Sequence, residues 1–269
     1  MNDLPCLRRA ALRALCECDP IEKSLQATAL HEGLARFHLD PALRLDEPAE
    51  GTLPGRPPLP RLVEPRQVPM RSPFTPEGRA ALLHAVAHIE FNAINLALDA
   101  VWRFADMPPA FYSDWIRVAA EEAMHFGLVR EHLRSLGRDY GDFEAHDGLW
   151  LMTQRTAADV LARMALVPRT LEARGLDAAP PMQEKFRRAG DARAVDILDV
   201  ILRDEVGHVA VGNRWYRWAC AQRGLDPIAH YPLLTAQYKA PRLRPPFNYA
   251  ARLAAEFTQA ELLALEQQA

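Results

Sequence analysis

Glu121-Glu122-Ala123-Met124-His125 and Asp204-Glu205-Val206-Gly207-His208 decide how this chain is read. The two segments lie 83 residues apart and share one pattern: an acid, then a glutamate, then a histidine three residues further on. Positions i and i+3 of an α-helix project to the same side, so Glu122 with His125 and Glu205 with His208 form two chelating claws. Two claws facing each other would hold two metal ions.

The apolar spacing around each claw is helical. Trp115, Val118, Val129 and Leu136 line up with Glu122 and His125, and Leu198, Ile201, Gly212, Trp215 and Ala219 line up with Glu205 and His208. Ionised carboxylates on a core seam need compensation, because an unpaired buried charge costs many kcal/mol or surrenders its ionisation. A divalent pair supplies it. A single Glu-x-x-His in a chain with nine histidines reads more readily as a solvated helix face than as a metal site. For the pair, the competing reading is a metal-free Glu/His hydrogen-bond network.

A carboxylate-bridged bundle needs a single Glu from each of two further helices. Glu90 supplies the first, sharing a face with Leu83, Val86, Ala87, Ile94, Ala97 and Val101. Glu172, in Ala165-Leu166-Val167-Pro168-Arg169-Thr170-Leu171-Glu172-Ala173-Arg174-Gly175, supplies the second. The chain order is then Glu, Glu-x-x-His, Glu, Glu-x-x-His.

Gly78-Arg79-Ala80-Ala81-Leu82-Leu83-His84 with His88-Ile89-Glu90, Glu121 to Phe126, Leu171-Glu172-Ala173-Arg174-Gly175-Leu176-Asp177, and Asp204 to Val209 carry a family resemblance. Together with the proline-rich stretch at 54–76, they resemble an uncharacterised ferritin-like family within the ferritin-like di-iron carboxylate superfamily. The resemblance implies an all-α, ferritin-like four-helix bundle with a di-metal carboxylate core. It implies Glu90, Glu122, His125, Glu172, Glu205 and His208 as metal ligands, and it brings no assigned reaction. Metal-bound histidines usually donate their second N–H to a carboxylate, and the resemblance implies that Glu121 and Asp204 serve the imidazole of the opposite claw, Glu121 to His208 and Asp204 to His125. The plainer reading makes both ordinary surface acids.

Local signals predict the remaining architecture. Residues 5–38 read as two short helices broken at Pro20. The prolines between 54 and 76 forbid regular helix and predict an extended strap, with Leu59, Leu62, Val63, Val68 and Phe74 as its docking residues. Thr75-Pro76 predicts a capped helix from 76 to about 105. A second helix follows Pro109 and stops at Gly137, and a third covers about 153–174, bent at Pro168 and ended by Gly175. A fourth runs from a cap at Asp191 to Gly224, and a last one from about 248 to 267. The expected organisation is 1–75 for N-terminal helices and strap, 76–225 for the bundle with its extra N- and C-terminal helices set apart, and 226–269 for the C-terminal extension.

Composition narrows the function. A net charge of −3 leaves no electrostatic footprint for nucleic acid, and Arg242 with Arg244 among prolines is too short a run to supply one. The N-terminus, Met1 to Arg9, lacks a signal-peptide run and no apolar segment reads as a bilayer span, so a cytoplasmic protein is expected. Cys6, Cys16, Cys18 and Cys220 match no zinc or rubredoxin spacing. His84 and His88 have a plausible i,i+4 metal spacing, but helical rotation takes His88 away from Glu90's face, and the two read as structural or second-site groups. Trp215, and with less support Trp150, Tyr112 and Tyr216, read as core residues or as relays for an electron.

Hard oxygen donors with two imidazoles favour iron or manganese over zinc. Two iron ions, or manganese, or a mixed pair, are the expected cofactors. The leading expectation is an oxidoreductase that activates dioxygen or peroxide against a small-molecule substrate with an external electron donor, Glu90 and Glu172 acting as bridging or shifting carboxylates. A ferroxidase or metal-storage protein and an RNA-modifying hydroxylase are the alternatives. A homodimer is compatible with the strap.

Overall fold

A computed structural model of the chain describes residues 4–49 and 51–268; Met1-Asn2-Asp3 of the N-terminal reading lie outside the described residues. The fold is all-helical, and the described residues contain no strand, only two isolated β-bridges. By compactness the chain divides into residues 1–150 and 151–269.

In the first unit, α1 (Leu7–Cys16) and α2 (Pro20–Glu32) precede a long pair, α3 (Pro76–Arg103) and α4 (Pro109–Ser135). Pro20 starts α2 rather than interrupting a helix, with Asp19 capping it through Ile21 and Glu22 N–H. The cap expected at Thr75 is present, its hydroxyl accepting from Gly78 N–H at 3.1 Å. Gly137 (φ +75°) lies just past the end of α4, as its left-handed preference predicts. The rings of Phe91 and Phe126, and of Phe104 and Phe111, meet, so α3 and α4 run antiparallel along each other. Arg8 of α1 is buried and donates to Val101 O at 3.2 Å and Trp102 O at 2.6 Å. It thereby satisfies carbonyls at the negative end of α3.

The strap docks, and of the five side chains expected to dock, Val63 and Val68 are half-buried. Leu59, Leu62 and Phe74 are exposed. Backbone bonds contribute, Gly55 N–H donating to Leu15 O at 2.8 Å and Val63 N–H to Ala145 O at 2.9 Å, as does an ion pair of Arg56 with Asp147 at 2.7 Å. A Cβ on Gly55 would lie 2.2 Å from Cys16 O, so glycine alone permits that approach. Lys23 of α2, fully buried, fastens the junction by donating to Leu15 O, Gly55 O and Asn95 Oδ1 of α3.

α3 is also long and apolar enough to cross a bilayer by length and composition, yet 78% of its most apolar window is buried within the protein. Buried His84, Glu90, Asn92 and Asn95 lie along it, the pattern of a core helix.

After α5 (Gly148–Arg155), the second unit begins its packed core with α6 (Val160–Leu166), which passes directly into a π-helical segment, Val167–Glu172, and then into α7 (Ala173–Arg188). The expected third helix therefore does not end at Gly175. Gly175 sits inside α7, which continues through Pro180 and Pro181 to Arg188, with Gly190 (φ +74°) just past its end. Pro180 lacks the N–H that would pair with Leu176 O, and Asn248 Nδ2 takes that carbonyl at 3.1 Å. Around Pro168 the bend expected is a change of hydrogen-bond register, and Thr170 Oγ1 donates to Ala165 O at 2.7 Å.

α8 (Ala192–Gln222) packs against both α7 and the π segment. Its cap is Asp191, accepting from Ala194 N–H at 3.0 Å. Beyond it lie α9 (Pro227–Gln237), α10 (Tyr249–Ala254) and α11 (Gln259–Gln268), so the single terminal helix expected from 248 is two short ones.

Candidate metal centre

In the first unit α3 contributes Glu90, and α4 contributes Glu122 and His125. His125 Nδ1 lies 3.3 Å from Glu90 Oε2 and 3.3 Å from Glu122 Oε2. One donor atom from each of the three residues falls within 4.8 Å of the others. All three are buried: Glu90 is 3% exposed, Glu122 and His125 not at all. Their neighbours on α4 are the apolar seam expected, Trp115, Val118 and Val129, although Leu136 is exposed and the seam ends before it.

Burial first, and then the adjacent Glu122 charge, push the Glu90 carboxyl up to about 7. Burial opposes protonation of His125, but its hydrogen bonds and charge attraction to Glu122 and Glu90 outweigh that and push it up to about 12. The site therefore stabilises positive charge between two carboxylates. A divalent ion meets the same demand with more charge and with direct ligation.

In the second unit, α8 carries Glu205 and His208 on its buried face, His208 Nδ1 3.9 Å from Glu205 Oε1. Leu198, Ile201, Gly212, Trp215 and Ala219 are buried on the same helix. Glu172 is buried at the end of the π segment that packs on α8. Among the described residues it does not join Glu205 and His208 as a set of three donors within 4.8 Å. Glu121 accepts from Arg117 at 3.0 Å, and Asp204 from Arg203 at 2.8 Å.

His84 and His88 do what the sequence reading assigned them. His84 Nε2 accepts from Gly141 N–H at 2.9 Å; His88 Nδ1 meets the Tyr140 hydroxyl at 2.9 Å. Burial holds both imidazoles neutral, pushing His84 down to about 4 and His88 to about 3. Trp215 is buried edge-on to Trp218, and the Tyr112 and Tyr216 hydroxyls donate to the carbonyls of Phe104 and Pro227.

Two features beside Glu172 escaped the sequence reading. Pro168 presses on Gly212 of α8, where a Cβ would come 2.5 Å from the proline ring. The π segment can sit there only because position 212 has no side chain. Next to it, buried Arg169 donates to Asn213 Oδ1 at 2.5 Å and to Glu261 Oε1 of α11 at 3.0 Å, stacked among Tyr216, Tyr231 and Phe257. The segment that carries Glu172 is thus fixed from both sides, to α8 and to the C-terminal helix. An arginine inside an apolar stretch is the only signal the sequence offered, and its partner lies 92 residues away.

No solved structure matches the chain. An uncharacterized protein of Haemophilus influenzae (strain ATCC 51907 / DSM 11121 / KW20 / Rd) is 56% identical over 210 residues, which is 76% of this chain and 73% of that protein. The family described as protein of unknown function (DUF455) matches over residues 16–263, and the chain belongs to that family.

Proposed function

We propose that Glu90, Glu122, His125, Glu172, Glu205 and His208 together hold two redox-active metal ions, iron or manganese, in a ferritin-like carboxylate centre, and that the protein is an oxidoreductase using dioxygen or peroxide to oxidise a small molecule. The observation that carries this reading is the convergence of two buried carboxylates on one buried imidazole, each 3.3 Å from His125 Nδ1. Taking two acids and an imidazole out of water is costly, and a divalent ion offsets that cost while using every donor. The donor set is hard oxygen plus a little imidazole with no thiolate, which fits iron or manganese.

Bound there, a redox-active pair supplies two-electron chemistry toward dioxygen or peroxide. The protein's own residues have separate tasks. Glu122 and His125 are held on one helical face by their i,i+3 spacing, so they present donors without rearrangement of α4. Glu90 comes from the antiparallel helix, and its second oxygen leaves it free to bridge or to shift. Around them Phe91, Trp115, Val118 and Phe126 exclude water. In the second unit the π register aims Glu172, and Gly212 and Arg169 fix that register against α8.

Anaerobic loading with ferrous ion followed by oxygen-electrode measurement tests the reading. Oxygen uptake that requires iron and is lost in Glu122→Ala is expected; inertness of the iron-loaded protein toward both oxygen and peroxide would overturn it. Size-exclusion mass separates the storage alternative, which requires a particle of many subunits.

A further inference from the structure

Outside the acid–imidazole sets, the second unit carries a half-open cleft of about 480 Å³, walled by Arg174 and Asp177 of α7, Ala178, and Arg242, Leu243 and Arg244 of the segment before α10. Three guanidiniums meet there in a chain whose net charge is −3, so the local sign runs against the protein as a whole. The one acid in the wall is already neutralised. Asp177 receives a two-pronged hydrogen bond from Arg252 at 3.0 and 2.6 Å and also accepts from Asn248 N–H at 2.8 Å.

Arg174 and Arg244 lie exposed and make no hydrogen bond or ion pair among the described residues. The opposite wall is anchored rather than loose: Leu243 and Phe247 are buried, and Arg252 stacks on Phe247 at 4.8 Å. Prolines 241, 245 and 246 restrict the backbone between them. The backbone that carries Arg242 and Arg244 is therefore restricted before any ligand arrives, which lowers part of the ordering cost of binding.

We infer that this cleft binds the phosphate group of a small phosphorylated ligand. Planar guanidinium forks match phosphate oxygens in pairs, and Arg174 with Arg244 balances the charge of a dianionic group. The volume falls within the range of small-molecule sites. Confinement of the positive charge to one cleft favours a small ligand over an extended nucleic acid, which needs a basic stripe. About 200° of helical rotation separates Arg174 from Glu172, so the cleft opens on the other side of the helix and stands independently of the metal proposal.

Isothermal titration of the full-length protein with inorganic pyrophosphate at low ionic strength tests the inference. Saturable one-to-one binding is expected, weakened at least about tenfold by Arg174→Gln and by Arg244→Gln, each a loss of charge-assisted bonds. Arg174→Lys keeps the charge without the fork and should fall between. Arg187→Gln, an equal charge change further along α7, should leave affinity within about twofold, with circular dichroism confirming that all variants fold. Absence of saturable binding at about 10 mM, or equal weakening by Arg187→Gln, would overturn the site. Displacement of pyrophosphate by a single-stranded RNA oligomer, with a salt slope equivalent to more than about four phosphates, would overturn the small-ligand assignment.

Discussion

Replacing Gly212 by alanine sets two well-understood effects against each other. Alanine inside a helix is favoured over glycine by about 0.8–1.0 kcal/mol, and at a roomy position the substitution should stabilise. At position 212 there is no room. The new methyl would lie 2.5 Å from Pro168 Cβ and 2.6 Å from Pro168 Cγ, whereas carbon atoms rest at about 3.5–4.0 Å. A gap of roughly 1 Å must open, and the proline ring has no rotamer to escape into. Overpacking of this kind costs about 1–3 kcal/mol, so the net expectation is destabilisation by about 0–2 kcal/mol once the helix gain is subtracted. The π segment also shifts, carrying Glu172 with it. Gly175→Ala is the matched control: it lies in α7, where an added methyl would meet no atom within 4 Å, and should stabilise by about 0.5–1 kcal/mol. Urea denaturation followed by circular dichroism reads both. If Gly212→Ala raises the midpoint as much as Gly175→Ala, the close packing of the π segment on α8 is refuted.

Glu122→Ala should lower metal affinity by at least about a hundredfold, measured by competition with a chromophoric chelator, since it removes a ligand rather than a supporting bond. Arg169→Met strips buried Glu261 of one of its two arginines and should cost about 3 kcal/mol in chemical denaturation. Folded His84 takes up a proton only near pH 4 while its ordinary value is 6.5, so the unfolded chain holds more protons between those values and stability falls as pH drops through that window, by about 3 kcal/mol from this residue. His84→Gln, whose amide oxygen can still accept from Gly141 N–H, should remove that component and flatten the stability curve between pH 6.5 and 4; an unchanged curve would refute the assignment.

The parts of the fold legible in the sequence are those set by neighbours within a few residues. Thr75-Pro76, Asp191 and Gly137 act through one turn of backbone, and each marks a helix end. Likewise, the i,i+3 claws are a local geometry, and Glu90's face follows from the spacing of Leu83, Val86, Ala87 and Ile94. What could not be read depends on distant partners. Helix α7 survives Pro180 because Asn248 takes an orphaned carbonyl 72 residues away, and nothing near Gly175 announces that. The strap's exposed Leu59 and Phe74 misled for the same reason: its attachment includes backbone bonds to Leu15 and Ala145 and an Arg56–Asp147 ion pair, all to residues distant in sequence. Arg242 and Arg244 looked too few to matter until the fold brought Arg174 beside them.

Metal content is the most direct test. Protein purified under native conditions or reconstituted anaerobically with ferrous or manganous ion, then analysed by inductively coupled plasma mass spectrometry, should hold about two first-row transition-metal ions per chain, and Glu122→Ala clearly fewer. Wild-type protein that holds no stoichiometric metal after either treatment, with a thermal midpoint unmoved by added ferrous or manganous ion, would contradict the proposal that these six buried residues are ligands.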